Sequence, residues 1–402
     1  MSVTQSSQTA PLPLEGMRVI ELTHAWAGPL CGMMLADMGA EVIKVEAPDQ
    51  DSESRGGSPY LAGESVIFMM THRNKKSVTL NLKDDRGYDL FLDLVRESDV
   101  LLQNMRPGTL ERLKLGYDDL KAVNPGLIYT SVSGFGRAGP DAGLAGVDQI
   151  AVAVTGLAAT TMADATALPG TLGVPVCDIT AAMWACHGTL CAYILRQKTG
   201  MGQQVDASLL EAGLSLMINP TAQHFHSPGY TGLKTSYNGA SDFLLAADGK
   251  YVSVFASYPA LWERFVKTVQ DDSLAEDPRF TTRESRTKRA KELREALAEV
   301  FIKQPAHYWV TLLRKAGVPV SYVNTIGEAL RDPQVQATGM LEQQVHPVAG
   351  AVHLLGVAVK LSATPGRIRT PAPLLGEHTA EVLTKLNVPQ ERLDELRSAA
   401  VI

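Results

Sequence analysis

Strand and helix patterns alternate over the first 130 residues, and this limits the fold more than any other feature of the chain. Met17 to Leu22 is a strand-like apolar run that meets the loop Thr23-His24-Ala25-Trp26-Ala27-Gly28. Pro29 stands where a helix can begin, because its missing N–H is one of those left unpaired there anyway. Leu30 to Met38 suits that helix, Gly39 stops it, and Glu41 to Glu46 forms a second strand. An amphipathic helix over Arg86 to Glu97 follows, then a strand at Val100 to Leu102 and a short basic helix around Leu110 to Leu115. Another helix ends at Asn124-Pro125-Gly126, before a strand at Leu127 to Val132. A chain that alternates in this way predicts a parallel, doubly wound α/β sheet.

The rest of the chain is organised differently. Residues 133–147 are rich in Gly and Pro, a long loop of the kind that carries function more often than packing. Helical patterns occupy about 148–158 and 178–198. We expect a large domain over residues 1–220, a linker over 221–240 and a smaller α+β domain over 241–335. The smaller domain should hold a hairpin turning at Asp248-Gly249. Residues 336–402 should return to the large domain.

Composition excludes several classes. With 37 Lys+Arg against 43 Asp+Glu, the net charge of −6 gives no overall basic field for nucleic acid or anionic lipid. Met1 to Leu14 has no apolar core of a signal peptide, and the apolar stretches near 150–159 and 181–195 are interrupted. The four cysteines, Cys31, Cys177, Cys186 and Cys191, are too few to staple a chain of 402 residues, so a reducing, cytoplasmic setting is expected. Cys186 and Cys191 read as core packing on an apolar helix. The scattered histidines, with His224 and His226 the one close pair, lack metal-ligand spacing, so no metal is expected.

The strand–loop–helix opening, with Glu46 ending its second strand, invites a dinucleotide reading. That reading needs G-x-G-x-x-G so that backbone can approach a pyrophosphate. Here the turn is His24-Ala25-Trp26-Ala27-Gly28-Pro29, with one glycine and a bulky Trp, so a nicotinamide cofactor is not expected. Gly-x-Ser-x-Gly is absent too, which removes the usual hydrolase elbow. The basic run His72-Arg73-Asn74-Lys75-Lys76-Ser77 has two readings, a solvated loop or a phosphate-binding edge. Asn104-Met105-Arg106-Pro107-Gly108, with Arg112 beyond, follows a strand whose carboxyl end is where open α/β sheets bind ligands. Asp178 reads as the N-cap of an apolar helix. The second reading, slightly less favoured on the residues alone, is a carboxylate nucleophile whose charge a helix N-terminus supports.

Several stretches, in order and at similar spacing, carry a more specific signal: Pro13-Leu14-Glu15-Gly16, Ala27-Gly28-Pro29, Gly39 to Glu46, Arg73 to Ser77, Arg106-Pro107-Gly108, Ser133-Gly134-Phe135-Gly136, the Asp178 segment and Lys198 to Gln203. Together they resemble the class III coenzyme A-transferases, from about Pro13 to Ile218 and again at Leu375 to Thr379. The resemblance implies a Rossmann-like large domain with a smaller one, in an interlocked homodimer. It also implies that Asp178 is the nucleophile, with Asp148 as a second acid near it. By the same resemblance His24, Ala25, Trp26 and Ala27 contact CoA, Leu80, Asn81, Leu82 and Lys83 lie near its nucleotide, and Asn104, Met105, Arg106 and Arg112 surround its phosphates and pantetheine. CoA is then substrate and product, no cofactor is needed, and the partner substrates are an acyl-CoA and a small carboxylic acid.

Departures narrow the substrate. Ala47 replaces an Arg of the formyl-CoA transferases, and their glycine-rich closing loop is reduced to Tyr237-Asn238-Gly239-Ala240-Ser241. These departures argue against formyl-CoA and oxalate, and the resemblance implies a succinyl-like donor, since family members with other loops commonly act on succinyl-CoA; Gln223, His224, His226 and Lys234 are candidate partners for an anionic acid. The alternative is the related α-methylacyl-CoA racemases. Their pattern carries a His before the acid at position 148, where this chain has Val147, which cannot transfer a proton.

Overall fold

The computed structural model describes residues 11–49, 55–162, 165–232 and 240–402. Two compact units emerge. The larger comprises Met1–Thr161, Leu168–Thr231 and Ala337–Ile402, and the smaller comprises Met162–Ala167 and Gly232–Gln336.

Among the described residues, eight strands fall in the first half of the larger unit: β1 (Arg18–Leu22), β2 (Glu41–Glu46), β3 (Tyr60–Leu61), β4 (Glu64–Ser65), β5 (Lys75–Thr79), β6 (Val100–Gln103), β7 (Ile128–Ser133) and β8 (Gln204–Ser208). Six of them form a wholly parallel sheet in the order β5-β2-β1-β6-β7-β8. Successive side chains on a strand point to opposite faces, so each strand feeds two cores. Val19, Val42, Val100 and Ile128 face the helices Ala27–Asp37 and Val176–Thr199. Their neighbours Ile20, Ile43, Leu101 and Tyr129 face the helices Asp85–Arg96 and Tyr117–Val123 and the C-terminal helices Thr379–Lys385 and Gln390–Ser398. The returning tail is tied down: Thr79 donates its N–H to Thr379 Oγ1 at 3.0 Å, Asn81 donates to the Val401 carbonyl at 2.8 Å, and Val401 is fully buried.

The chain winds outward from β1 in one direction through β2 and β5, and from β6 in the other through β7 and β8. The crevice between the carboxyl ends of β1 and β6 is thus the topological switch point. Both crossovers lead away from it there, which leaves room for a ligand.

Three expectations are corrected. The basic run 72–77 is neither a solvated loop nor a phosphate edge, because it is enclosed: Arg73, Asn74 and Lys75 are all buried. Arg73 Nη2 meets Asp37 Oδ2 at 2.7 Å and Asn74 Nδ2 donates to Asp37 Oδ1 at 2.8 Å. Asn74 Oδ1 accepts the backbone N–H groups of Arg369 and Thr370 from the tail that covers this edge. Cys191, expected in the core, is exposed while Cys186 is half-buried beside Cys31. Five residues on a helix turn the side chain through about 140°, too far for both to share one face. Residues 221–226, expected as part of a linker, belong to the helix Ile218–His226. Pro220 is tolerated because it falls in the first turn, where no backbone N–H is needed. Glu46, the acid of the dinucleotide reading, is occupied by Arg55 at 2.8 Å and by Ser77 Oγ at 2.6 Å.

The smaller unit holds β9 (Ser241–Leu245), β10 (Tyr251–Phe255) and β11 (Val320–Tyr322) in an antiparallel sheet of order β11-β10-β9. The hairpin between β9 and β10 contains Gly249 at φ +76°, as the Asp-Gly pair predicts. Trp262, Phe265, Phe301 and Trp309 stack in its core. Back in the larger unit, β12 (Leu341–His346) and β13 (Gly350–Leu355) pair as a hairpin. Among the described residues no helix is long and apolar enough to cross a membrane.

Candidate active site

A cleft of about 820 Å³ opens at the switch point. Its walls are His24 to Ala27 after β1, Asn104 to Pro107 after β6, the loop ends at 133–134 and 144–149, and residues 169–175. Asp178 lies in the first turn of the helix Val176–Thr199 and also lines the cleft.

Asp178 does not cap its own helix. Pro175 occupies the cap position and offers no side-chain acceptor. Instead Asp148, thirty residues earlier, places Oδ1 on the Cys177 N–H at 2.7 Å and on the Asp178 N–H at 3.1 Å. Two orphan donors of the helix are thereby satisfied from outside it. Asp178 is left free to face the cleft.

The surroundings of Asp178 raise its pKa to about 7. Burial is the largest cause, the Asp148 charge adds to it, and a hydrogen bond from the Ala27 backbone N–H opposes both. A helix N-terminus favours an anion, but here desolvation outweighs it. The Ala27 donor is available because it opens the helix Ala27–Asp37, where the first N–H groups have no intrahelical partner.

Ala25 in the first turn has φ +58°, a left-handed conformation that costs a non-glycine residue energy. Asn104 grips this turn from both sides. Its Oδ1 accepts the His24 N–H at 2.9 Å and its Nδ2 donates to the His24 carbonyl at 2.8 Å. The predicted residue is therefore at the cleft, with its amide engaged by protein backbone. Opposite, the neck of the Gly-rich loop closes where Gly134 and Gly146 cross. A Cβ on Gly134 would stand 2.5 Å from Gly146 Cα, so neither position admits a side chain without backbone movement.

Of the residues singled out in the sequence, Asp178, Asp148, His24, Ala25, Trp26, Ala27, Asn104, Met105 and Arg106 converge on the cleft. Arg112 does not line it; it is exposed on a short helix with Nη2 3.3 Å from Thr109 Oγ1. Leu80, Asn81, Leu82 and Lys83 do not line it either. Leu80 is core, and the turn after β5 is held by the C-terminal tail. Gln223, His224 and His226 stand on the helix Ile218–His226, away from the cleft lining. Lys234 and residues 237–239 lie outside the described residues. Sequence reasoning missed the 169–175 wall, although Pro169, Gly170, Gly173 and Pro175 marked a turn-rich approach to Asp178. Among the described residues no three His, Cys, Asp or Glu side chains gather as a metal site.

A switch-point cleft holding a carboxyl tuned toward neutrality is the setting of an enzyme's nucleophile or general acid–base group. The chain belongs to CoA-transferase family III, whose family model matches residues 14–379. It is 36% identical to the succinyl-CoA–D-citramalate CoA-transferase of Chloroflexus aurantiacus, over 99% of this chain and 100% of the relative. It is 31% identical to the human succinyl-CoA:glutarate CoA-transferase, over 99% and 92% respectively. The crystal structure of a CAIB/BAIF family protein from Brucella suis superposes with a TM-score of 0.82 at 29% identity, over 94% of this chain and 100% of that one. The protein is a class III CoA-transferase.

Asp148→Asn isolates one electrostatic contribution. An amide oxygen still accepts the Cys177 and Asp178 N–H bonds, but the negative charge that raises the Asp178 pKa is gone. The acid limb of the kcat/KM profile is expected to move to lower pH by roughly half a pH unit or more. An acid limb unchanged from wild type would mean that Asp148 does not act on Asp178 through its charge.

Proposed function

We propose that this enzyme moves CoA from a succinyl-type acyl-CoA to a small carboxylic acid, with Asp178 as its covalent carrier. The observation that carries the reading is the Asp178 carboxyl itself. It lies in the switch-point cleft, where burial and the Asp148 charge raise its pKa to about 7. At neutral pH a substantial fraction is ionised and nucleophilic.

In the proposed sequence, an Asp178 oxygen attacks the donor thioester carbonyl. The C–S bond breaks to give CoA thiolate and an acyl-aspartyl anhydride. The thiolate attacks the Asp178 carbonyl carbon, breaking the anhydride, releasing the donor carboxylate and leaving an aspartyl-CoA thioester. The acceptor carboxylate then attacks that carbonyl and expels thiolate. The thiolate takes the acceptor acyl group as its thioester and frees Asp178. Each step trades one activated acyl bond for another, so the cleft must exclude water. Met105 and Arg106 would meet the pantetheine and phosphate end, with Arg112 further along the ligand.

The succinyl preference rests on the names of the relatives at 36% and 31% identity, both of which use succinyl-CoA. The homodimer is supported by an exposed apolar surface on the helix Val176–Thr199, where Met183, Trp184, Ile194 and Leu195 are each about half accessible. Light scattering at twice the chain mass would support the dimer, and a monomer would end that part of the proposal. Four unpaired cysteines suit a reducing compartment such as the cytoplasm.

The functional test crosses succinyl-, acetyl-, formyl- and branched acyl-CoA with a panel of free acids by mass spectrometry. Transfer from succinyl-CoA to a small acid is the expected result. Exclusive use of formyl-CoA and oxalate would overturn the donor proposal. Exchange of an α-proton without acyl transfer would overturn the transferase mechanism in favour of a racemase.

A further inference from the structure

Beneath the turn that carries Ala27 lies a buried cluster of charges. Glu21 on β1, Lys44 on β2 and Lys75 at the start of β5 are each no more than 2% exposed. Lys75 Nζ stands 2.8 Å from Glu21 Oε2 and 3.0 Å from Oε1, and Lys44 Nζ is 3.9 Å from Oε1. His72 Nε2 is 3.9 Å from the same carboxylate and is held neutral by burial beside the two lysines.

Such a cluster is a poor way to stabilise a core. Desolvating one carboxylate and two ammoniums is expensive, and apolar side chains of the same volume generally do as well or better. The remaining hydrogen bonds point to another role. Lys44 Nζ donates to the Thr23 carbonyl at 2.6 Å, and Lys75 Nζ donates to the Pro29 carbonyl at 2.8 Å. Thr23 Oγ1 donates to Glu21 Oε1 at 2.8 Å. Those two carbonyls bracket the turn 24–28, which contains the left-handed Ala25 and carries Ala27 into the wall of the cleft that Asp178 also lines. Gly32 lets the clamp sit this close: a Cβ there would be 1.9 Å from Glu21 Oε2.

We propose that Glu21, Lys44 and Lys75 are positioning residues, a buried clamp whose two lysines hold both ends of the 24–28 turn so that its backbone keeps its place in the cleft beside Asp178. Asn104 supplies a third hold at His24. Strained backbone persists only where its surroundings over-determine it, and three independent holds do so here. The proposal rests on the reading of Asp178 as the reactive carboxylate.

The test uses Lys44→Met, which keeps the apolar stem and removes the donor to Thr23, alongside the milder pair Thr23→Ala and Thr23→Ser. Lys44→Met is expected to lower kcat by roughly ten- to a hundredfold, the scale of a slight misplacement at a reacting centre. It should also move the acid limb of kcat/KM to higher pH, because the bond that holds Asp178 down is loosened. His24, Arg106 and Asp148, the other titratable groups lining the cleft, are untouched by these variants. Thr23→Ala should shift both readouts in the same direction by less, and Thr23→Ser should restore them. A purely structural role would lower the melting temperature and leave the acid limb in place.

Folded Lys44→Met with wild-type kcat and acid limb overturns the clamp. Where Lys44→Met does not fold, Thr23→Ala with both readouts unchanged overturns it. An active Asp178→Asn enzyme would remove the reading beneath the proposal. Inactive Asp178→Asn with unchanged clamp variants would remove the clamp alone.

Discussion

Asp178→Asn is expected to reduce CoA transfer to background, a loss on the order of 10⁴-fold or more, while making the folded chain more stable above neutral pH. The amide keeps the size of the side chain and its place near the Ala27 N–H, but cannot form the anhydride or the thioester. The stability gain follows from linkage. Asp178 titrates near 7 in the folded chain, against an ordinary value of 3.8. Below about pH 4 the group is protonated whether the chain is folded or not, and it changes nothing. Between about pH 4 and pH 7 the unfolded chain ionises this carboxyl while the folded chain still holds it protonated, so stability is lost progressively across that window and levels off above it. With burial incomplete, the penalty above pH 7 is on the order of 2–4 kcal/mol, and the amide removes it. Urea denaturation at pH 3.5 and pH 8 measures this directly: a small difference at the lower pH and a much larger one at the higher pH are expected. A variant that still turns over would end the assignment. Equal stability at both pH values would show that the Asp178 carboxyl ionises normally.

Glu21→Leu carries the second large effect, on folding. It leaves Lys44 and Lys75 buried without their shared counter-charge, and losing one partner of a buried ionic cluster costs on the order of 3–5 kcal/mol. Lys75 already feels the burial, which brings its ammonium down to about 8 even with Glu21 in place. Replacing all three together, Glu21→Leu with Lys44→Met and Lys75→Met, should recover most of that loss, because nothing charged is then left in the core. Denaturation midpoints compare the variants. A single variant as stable as wild type would mean that the lysines shed their protons without consequence. The triple variant also separates stability from function: it should fold well and still transfer CoA slowly, since both carbonyls of the turn have lost their donors.

The sequence by itself determined the architecture of the larger unit's first half. Runs such as Val19-Ile20 and Val42-Ile43 are apolar on both faces, and only a sheet covered on both sides can bury them. The local signals were equally legible: Pro29 and Gly39 bounding a helix, Asp248-Gly249 turning a hairpin, and a turn whose single glycine excluded a pyrophosphate loop. Asp178 was legible only as an acid opening an apolar helix, which an ordinary N-cap also explains, and the resemblance singled it out as the nucleophile. What surrounds it was decided by tertiary structure. The cap on its helix comes from Asp148, and the hydrogen bond that opposes its raised pKa comes from Ala27, 151 positions earlier. The run 72–77 was misread for the same reason. Its charges look solvated along the chain, yet Lys75 meets Glu21 across 54 positions and Asn74 meets a tail nearly 300 positions away. Periodicity and turn chemistry act between neighbours and can be read from a string of residues. Burial and charge pairing depend on which distant segments share a volume, and only the folded chain brings those together.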